Sequence, residues 1–449
     1  MASLYERMAS NVNMAAFAKA DNLKQRMWFT LGALIVFRLG TFIPLPGINA
    51  TILSDIFSQQ NGGILGMFDL FTGGALKRMT IFALNIMPYI SASIMVQLGQ
   101  SIFPPLAELK KEGEAGHRKA TQYTRYLTVL ITIIQGYGIA VGLEGLTSGG
   151  ASAVIYPGWF FRFSTVVSLV GGTMFIVWLG EQITARGVGN GSSLIIMVGI
   201  IANVPRAIFT TLELGRVGQL SIFIILGVII VALALIYTIV FIERAQRRVV
   251  IQYPKRQVGL KMTNAESSHL PLKINPTGVI PPIFASSILL LPITIANFAA
   301  DKGGVLGYLS SILGHGQPVY LALYASLIVF FTFFYTAVVF NPEDTAENLK
   351  KHGGFVAGIR PGKNTAEYLD YVITRLTVLA AFYLTVLCVM PELLISKMGI
   401  PFFLGGTTLM IVVQVTMDFV SQVQSHLIAH QYEGLLKKTS LGKTRKRLK

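Results

Sequence analysis

Long apolar runs constrain this chain more than any other feature. Nine of them lie near 28–45, 80–103, 126–146, 163–180, 219–242, 278–300, 318–340, 376–392 and 399–420. A helix rises about 1.5 Å per residue, and the hydrocarbon core of a bilayer is about 30 Å thick, so each run is long enough to cross. A weaker run near 188–208 is interrupted by Pro205 and crowded at its start by Gly187, Gly189 and Gly191. With 53% hydrophobic and only 13% charged residues over 449 positions, the chain has too little polar sequence to coat a soluble globule of that size.

Charge placement decides whether the weak run counts. With the N-terminus in the cytoplasm and ten crossings, 29 of the 37 Lys and Arg fall in 1–27, 104–125, 181–191, 243–277, 341–375 and 427–449. Seven lie on the other side (Lys77, Arg78, Arg162, Arg206, Arg216, Lys302 and Lys397), and Arg38 falls inside the first span. The positive-inside rule demands such a split. Omitting the tenth span would invert every later loop and mix the charges. Both termini are therefore expected in the cytoplasm, with 1–27 as an amphipathic surface segment and 427–449 as a basic tail. The net charge of +16 is spread between apolar runs and forms no basic domain, which argues against nucleic-acid binding.

Catalytic chemistry has little support. HExxH, Walker-type and GxSxG sequences are missing, and the six histidines lack metal-ligand spacing. The single cysteine, Cys388, sits in an apolar run, so no disulfide framework, metal site or cofactor is expected. A secondary transporter should carry mid-membrane carboxylates for a coupled ion. The second, third, seventh and eighth spans have no ionisable residue through their centres. Arg38 and Asp418, near span interiors, are read as snorkelling or helix-bridging groups. A purely structural scaffold is the other competing class.

Three segments are more than connectors. Gly62–Met79 holds a short apolar stretch between glycine pairs, too short to cross. Irregular backbone at membrane depth needs protein or an aqueous cavity around it, so the stretch is read as re-entrant; an amphipathic helix on the outer surface is the alternative. In 243–277, Val249, Ile251 and Tyr253 alternate with Val250 and Gln252 ahead of Pro254, which predicts a raised hairpin with Lys255 and Arg256 near its tip. In 341–375, Asn341–Pro342 ends a helix, Gly353–Gly354 turns the chain, and GIRPG places Arg360 at a second tip; Asn364 with Glu367 reads as the start of the next helix. Such basic tips are either solvated topology signals or a docking platform for a cytosolic partner.

The runs FALNIMPYISASIMVQL, GTMFIVWLGEQITARGVGNG, GVIPPIFASSILL, FNPEDTAENLKKHGGFVAGIRPG and PFFLGGTTLMIVVQVTMDF resemble the SecY family of bacterial protein-conducting channels, from about residue 20 to beyond 435. The resemblance implies an all-α integral membrane fold: ten helices in two inverted five-helix halves, 28–208 and 209–426, around an hourglass pore, with a hinge at 206–218. It implies a pore ring of Ile86, Ile90, Ile196, Ile200, Ile283 and Ile411, and a plug over about 64–76 that includes Ile64, Leu65, Met67, Phe68, Leu70, Phe71 and Leu76. It implies a lateral gate with Ser91 and Gln97 on the second span and Leu291 and Ile295 on the seventh. Lys255, Arg256 and Arg360 would dock the ATPase SecA or the ribosome.

The implied activity is passive conduction of unfolded preproteins across the bacterial inner membrane, with lateral release of transmembrane helices into lipid. Implied partners are SecE and SecG in a heterotrimer, SecA, the ribosome, signal sequences and membrane lipids, with SecD/SecF and YidC further out. Chemistry agrees with an apolar ring. Ile86 and Ile90, like Ile196 and Ile200, lie one helical turn apart and share a face. Branched side chains form a constriction that excludes ions by dewetting yet yields to any translocating residue. The pore assignment itself rests on the resemblance. IPPIFASSILLLP reads as a kinked gate helix, with Ala285, Ser286 and Ser287 as small sliding contacts and with Ser91 and Gln97 bonding across the seam.

Overall fold

The computed structural model describes residues 21–49, 52–53, 72–145, 147–148, 151–218, 221–253, 257–258, 261–262, 267–299, 317–398 and 405–447; for 101, 110–111, 147–148, 151, 214, 257–258, 261–262, 290–299, 392, 394–398 and 430–447 only the backbone is described. The helices are α1 (Asp21–Gly40), α2 (Met87–Ile102), α3 (Pro104–Lys111), α4 (Glu114–Gly145), α5 (Trp159–Arg186), α6 (Gly191–Arg216), α7 (Ile222–Arg244), α8 (Ile280–Ala299), α9 (Pro318–Val339), α10 (Pro342–Lys351), α11 (Lys363–Met398) and α12 (Gly406–Arg447). Among the described residues, seven segments, carrying α4, α5, α6, α7, α9, α11 and α12, are long and apolar enough to cross a membrane. Helices α1, α2 and α8 fill the other three expected positions. The molecule is an all-α membrane protein.

The weak run proves to be a full helix. Asn190 caps α6 by accepting from the amides of Ser192 and Ser193 at 3.1 and 3.4 Å, and the helix continues through Pro205 to Arg216. Proline costs a backbone hydrogen bond, which neighbouring helices make tolerable in a membrane bundle. The expected hinge loop at 206–218 is therefore helical over most of its length. Among the described residues the turn falls at Val217–Gly218, where Gly218 has φ +79°.

The second span is shorter than its apolar run. Thr80 bridges to Pro44 and residues 81–86 are turns, because the backbone there pairs with the end of the first span: Leu45 N donates to Met79 O at 2.9 Å and Ile81 N to Ile43 O at 3.1 Å. Pro88 then opens α2 from its first turn, where a missing N–H costs nothing. Pro281 and Pro282 likewise stand in the first turn of α8, so they start that helix rather than kink it. Helix α11 begins at Lys363, one residue before the Asn364 expected to cap it; Gly362, at φ +106°, makes the turn and its carbonyl accepts from Thr365 and Ala366 N. The basic tail continues α12 as helix to Arg447.

Several buried hydroxyls are satisfied within their own helix. On α4, Thr124, Thr128 and Thr132 each donate to the carbonyl four residues back at 2.9, 2.7 and 2.7 Å, so buried hydroxyls need no partner on a neighbouring helix. Close packing relies on glycine. A Cβ on Gly191 would overlap the Gly180 carbonyl of α5, and one on Gly406 would overlap the Leu387 carbonyl of α11. By contrast α7 buries only Ile239 and Glu243 completely, leaving most of its apolar surface for lipid or another chain.

Candidate pore, gate and docking surface

The six isoleucines expected to form a ring come from four helices and converge. Ile86, Ile196, Ile200 and Ile411 are buried in one apolar cluster, and Ile90 and Ile283 pack against it. Ile86 stands at the N-cap of α2, and its carbonyl accepts from Ile90 N at 3.1 Å, so the two side chains lie one turn apart. Val279, Val412 and Val415 belong to the same cluster and were not anticipated. Two of the three were legible, since Val279 is four residues before Ile283 and Val415 four after Ile411. Phe37 of α1 and Phe82 stack at 6.1 Å between centroids and close the cluster's flank.

Helices α2 and α8 pack together. Ile94, fully buried, lies in one cluster with Phe284, Ala285 and Leu289, and Ile90 and Leu98 flank it, so positions 90, 94 and 98 form the stripe of α2 in that cluster. Ser91 is partly buried, one residue off the stripe. The Gln97 amide donates to Ser93 Oγ at 3.1 Å within α2. Ser286 and Ser287 both donate to the Ile283 carbonyl, at 2.9 and 2.8 Å, rather than to the facing helix. Leu291 and Ile295 fall on α8, but their side chains lie outside the described residues. Beside the seam opens a cavity of about 770 Å³ lined by Gln97 and Gln100 of α2 and by Phe334, Tyr335, Asn341 and Pro342.

Of the expected plug, Ile64, Leu65, Met67, Phe68, Leu70 and Phe71 lie outside the described residues, whereas Leu76 is buried with Leu45, Met79, Leu143 and Leu169. Just before it, Gly73 and Gly74 adopt φ of +70° and +85°. The Arg38 guanidinium, at the end of α1, donates to Gly73 O at 2.7 Å. Arg38 is thus tied to this segment, beyond the snorkelling expected of it.

On the side of the bundle reached by the long loops, the expected hairpin is present. Strand β3 (Gln246–Gln252) pairs antiparallel with β6 (Ser267–Lys273), following two short outer strands, β1 (Thr147–Ser148) and β2 (Ala151–Ser152), in chain order; a smaller hairpin joins β4 (Gln257–Val258) to β5 (Lys261–Met262). Val249 and Ile251 are buried and Val250 is exposed, as the alternation requires.

The sequence did not indicate that β7 (Phe355–Val356), from the second loop, adds to the same sheet, with Ile251 opposite Val356 and Gln252 opposite Phe355. Val249, Leu272 and Val356 then pack on Leu369, Val372 and Ile373 of α11. Arg360 is exposed, and its carbonyl accepts from Thr365 Oγ1 at 2.9 Å. Lys255 and Arg256 lie outside the described residues.

A family model described as SecY matches residues 80–420. The protein translocase subunit SecY of Rickettsia conorii is 54% identical over 421 residues, covering 94% of this chain and 97% of that protein. Its counterpart from Escherichia coli K12 is 55% identical over 421 residues, covering 93% and 95%. Among solved structures, one concerning the plug domain of the SecY protein, described as stabilising the closed state of the translocation channel and maintaining a membrane seal, aligns with a TM-score of 0.65 at 17% identity, covering 90% of this chain and 92% of that one. Sec61 in the canine ribosome–channel complex from the endoplasmic reticulum aligns at 0.61 and 16% identity, with the same coverages. At these identities the structures establish the fold alone.

Proposed function

The chain belongs to the SecY family, and we propose that it is the channel subunit of a bacterial protein translocase, passing unfolded preproteins across the inner membrane and releasing transmembrane helices sideways into lipid. One observation carries the reading: isoleucines from α2, α6, α8 and α12, far apart in sequence, meet in a single apolar cluster. A gasket of that composition blocks hydrated ions and discriminates against no polypeptide. The two five-helix halves part about the turn at Val217–Gly218, past the expected 208/209 boundary, which falls inside α6, and the seam of α2 with α8 is the lateral gate. Ile90, Ile94 and Leu98 of α2 and Phe284, Ala285 and Leu289 of α8 share one apolar cluster there, contacts that a hydrophobic signal sequence can replace at about 0.8 kcal/mol per buried CH₂.

The segment from Ile64 to Leu76 serves as plug. The joint sheet of the two long loops, with Arg360 exposed and Lys255 and Arg256 in the first loop, is the platform for SecA or the ribosome. SecE and SecG complete the heterotrimer, energy comes from the partner ATPase or from translation, and both termini face the cytoplasm. Vesicles containing the purified complex test the reading: preprotein import should require added SecA and ATP, and SecE and SecG should accompany the chain through purification. Import that is independent of this chain would overturn it.

A further inference from the structure

We propose that the outer half of the α4–α5 face binds one phospholipid with a zwitterionic headgroup, an inference that goes beyond the channel reading and rests only on the membrane topology. A groove of about 630 Å³ runs between the two helices. Ile133 and Ile134 of α4 and Val166, Val167 and Val170 of α5 make its floor, and Ile133, Ile134 and Val167 are exposed. Polar groups of the lining stand at one end, where Tyr137, Trp159 and Arg162 form the mouth. Trp159 opens α5 on the outer side, and Trp and Tyr concentrate at the membrane–water interface.

Depth and charge choose the occupant. Arg162 to Val170 is about 12 Å of helix at 1.5 Å per residue, and one leaflet of hydrocarbon is about 15 Å thick. The groove therefore starts at the interface and ends near the midplane, which suits an acyl chain; a partner's transmembrane helix needs a seat along the whole α4–α5 seam. At the mouth, Arg162 donates from Nε and Nη2 to Glu144 Oε2 at 3.0 and 2.6 Å, and Gly158 N donates to Glu144 Oε1 at 3.0 Å. A third of the Arg162 side chain stays exposed, and a guanidinium so engaged keeps further N–H donors for a phosphate. Its charge is cancelled by Glu144, so an anionic lipid gains no net attraction, whereas an ammonium headgroup complements the carboxylate. The walls are fixed as well, because Arg125 and Glu181 join α4 to α5 toward the cytoplasm at 3.1 and 2.6 Å.

The test is quenching of Trp159 by phosphatidylethanolamine with brominated acyl chains, titrated into the detergent-purified complex. Trp28→Phe and Trp178→Phe remove the other tryptophans of this chain, and a further Trp159→Phe variant supplies the background to subtract. Quenching should saturate at low lipid. Val166→Phe and Val170→Phe, which fill the groove from its middle and its deep end, should each raise the half-quenching concentration about tenfold. Arg162→Gln combined with Glu144→Gln, which removes both charges together and leaves neither unpaired, should do the same from the mouth. Brominated phosphatidylglycerol should bind more weakly than phosphatidylethanolamine. Unsaturable quenching that both filled variants share is annular contact only and overturns the site, as does tighter binding of phosphatidylglycerol. A Trp159 that no lipid quenches is covered by another chain, which overturns it too. Translocation enters none of these readouts, so their failure leaves the channel reading standing.

Discussion

Asn275 donates its amide to Glu243 at 2.6 Å, and both side chains are buried. The same Asn275 accepts from Thr277 Oγ1 at 2.9 Å and Gly278 N at 3.1 Å, so one side chain joins the end of α7 to the start of α8. Gly278, at φ +62°, faces the Gln414 amide of α12, which a Cβ there would have to displace. The helix assigned to the gate is thus anchored at one end by a polar knot, while Phe284, Ala285 and Leu289 share an apolar cluster with Ile94 of α2. Asn275→Ala would leave the Glu243 carboxylate buried without its amide, a loss of about 2 kcal/mol. Thermal unfolding of the purified protein should show it, with Glu243→Gln, which keeps an acceptor, losing less than half as much. Equal losses would contradict the assignment of Asn275 as the shared donor.

Arg360→Glu should reduce SecA-driven import into vesicles about tenfold, while the thermal midpoint stays near wild type. An exposed loop position contributes little to folding, within about 0.5 kcal/mol, whereas reversed charge repels an acidic or phosphate-bearing partner. Normal import by a stably expressed variant would count against the docking role.

Replacing Ile86, Ile196 and Ile283 together by Ser should raise resting conductance at least tenfold, on the order of the loss expected when a dewetted constriction becomes wettable. Voltage-clamped bilayers give the readout. A variant as quiet as wild type would place the pore elsewhere than in this cluster.

Ser91→Cys with Leu291→Cys should cross-link under oxidation, since a disulfide needs Cα atoms within about 7 Å and α2 packs on α8. The background should be Cys388→Ala rather than Ser, because Cys388 is buried among Leu384, Leu387 and other apolar side chains. The bond would pin the seam, so translocation and membrane insertion should both fall and reduction should restore them. A cross-linked channel that still releases helices into lipid would refute the gate. Failure to cross-link would refute the facing of these two residues.

Sequence by itself determined everything that depends on local composition. Apolar length and Lys/Arg placement located ten helices, including α6 despite Pro205, because the positive-inside rule acts on each loop separately. Alternation at Val249, Val250 and Ile251 located a strand, and spacing put Ile86 with Ile90 and Ile196 with Ile200 on common faces. Sequence misplaced features whose cause lies elsewhere in the chain. The unwinding of 80–86 follows from pairing with Ile43 and Leu45, and the helical form of 206–216 follows from packing that makes an internal proline tolerable. The meeting of Ile411 with Ile86 was implied by the family resemblance and by no local pattern, and only the tertiary structure joined β7 to β3 and set Gly73 against Arg38. Each of these is a contact between residues distant in sequence, and neither periodicity nor composition carries information about which distant partner a face will meet.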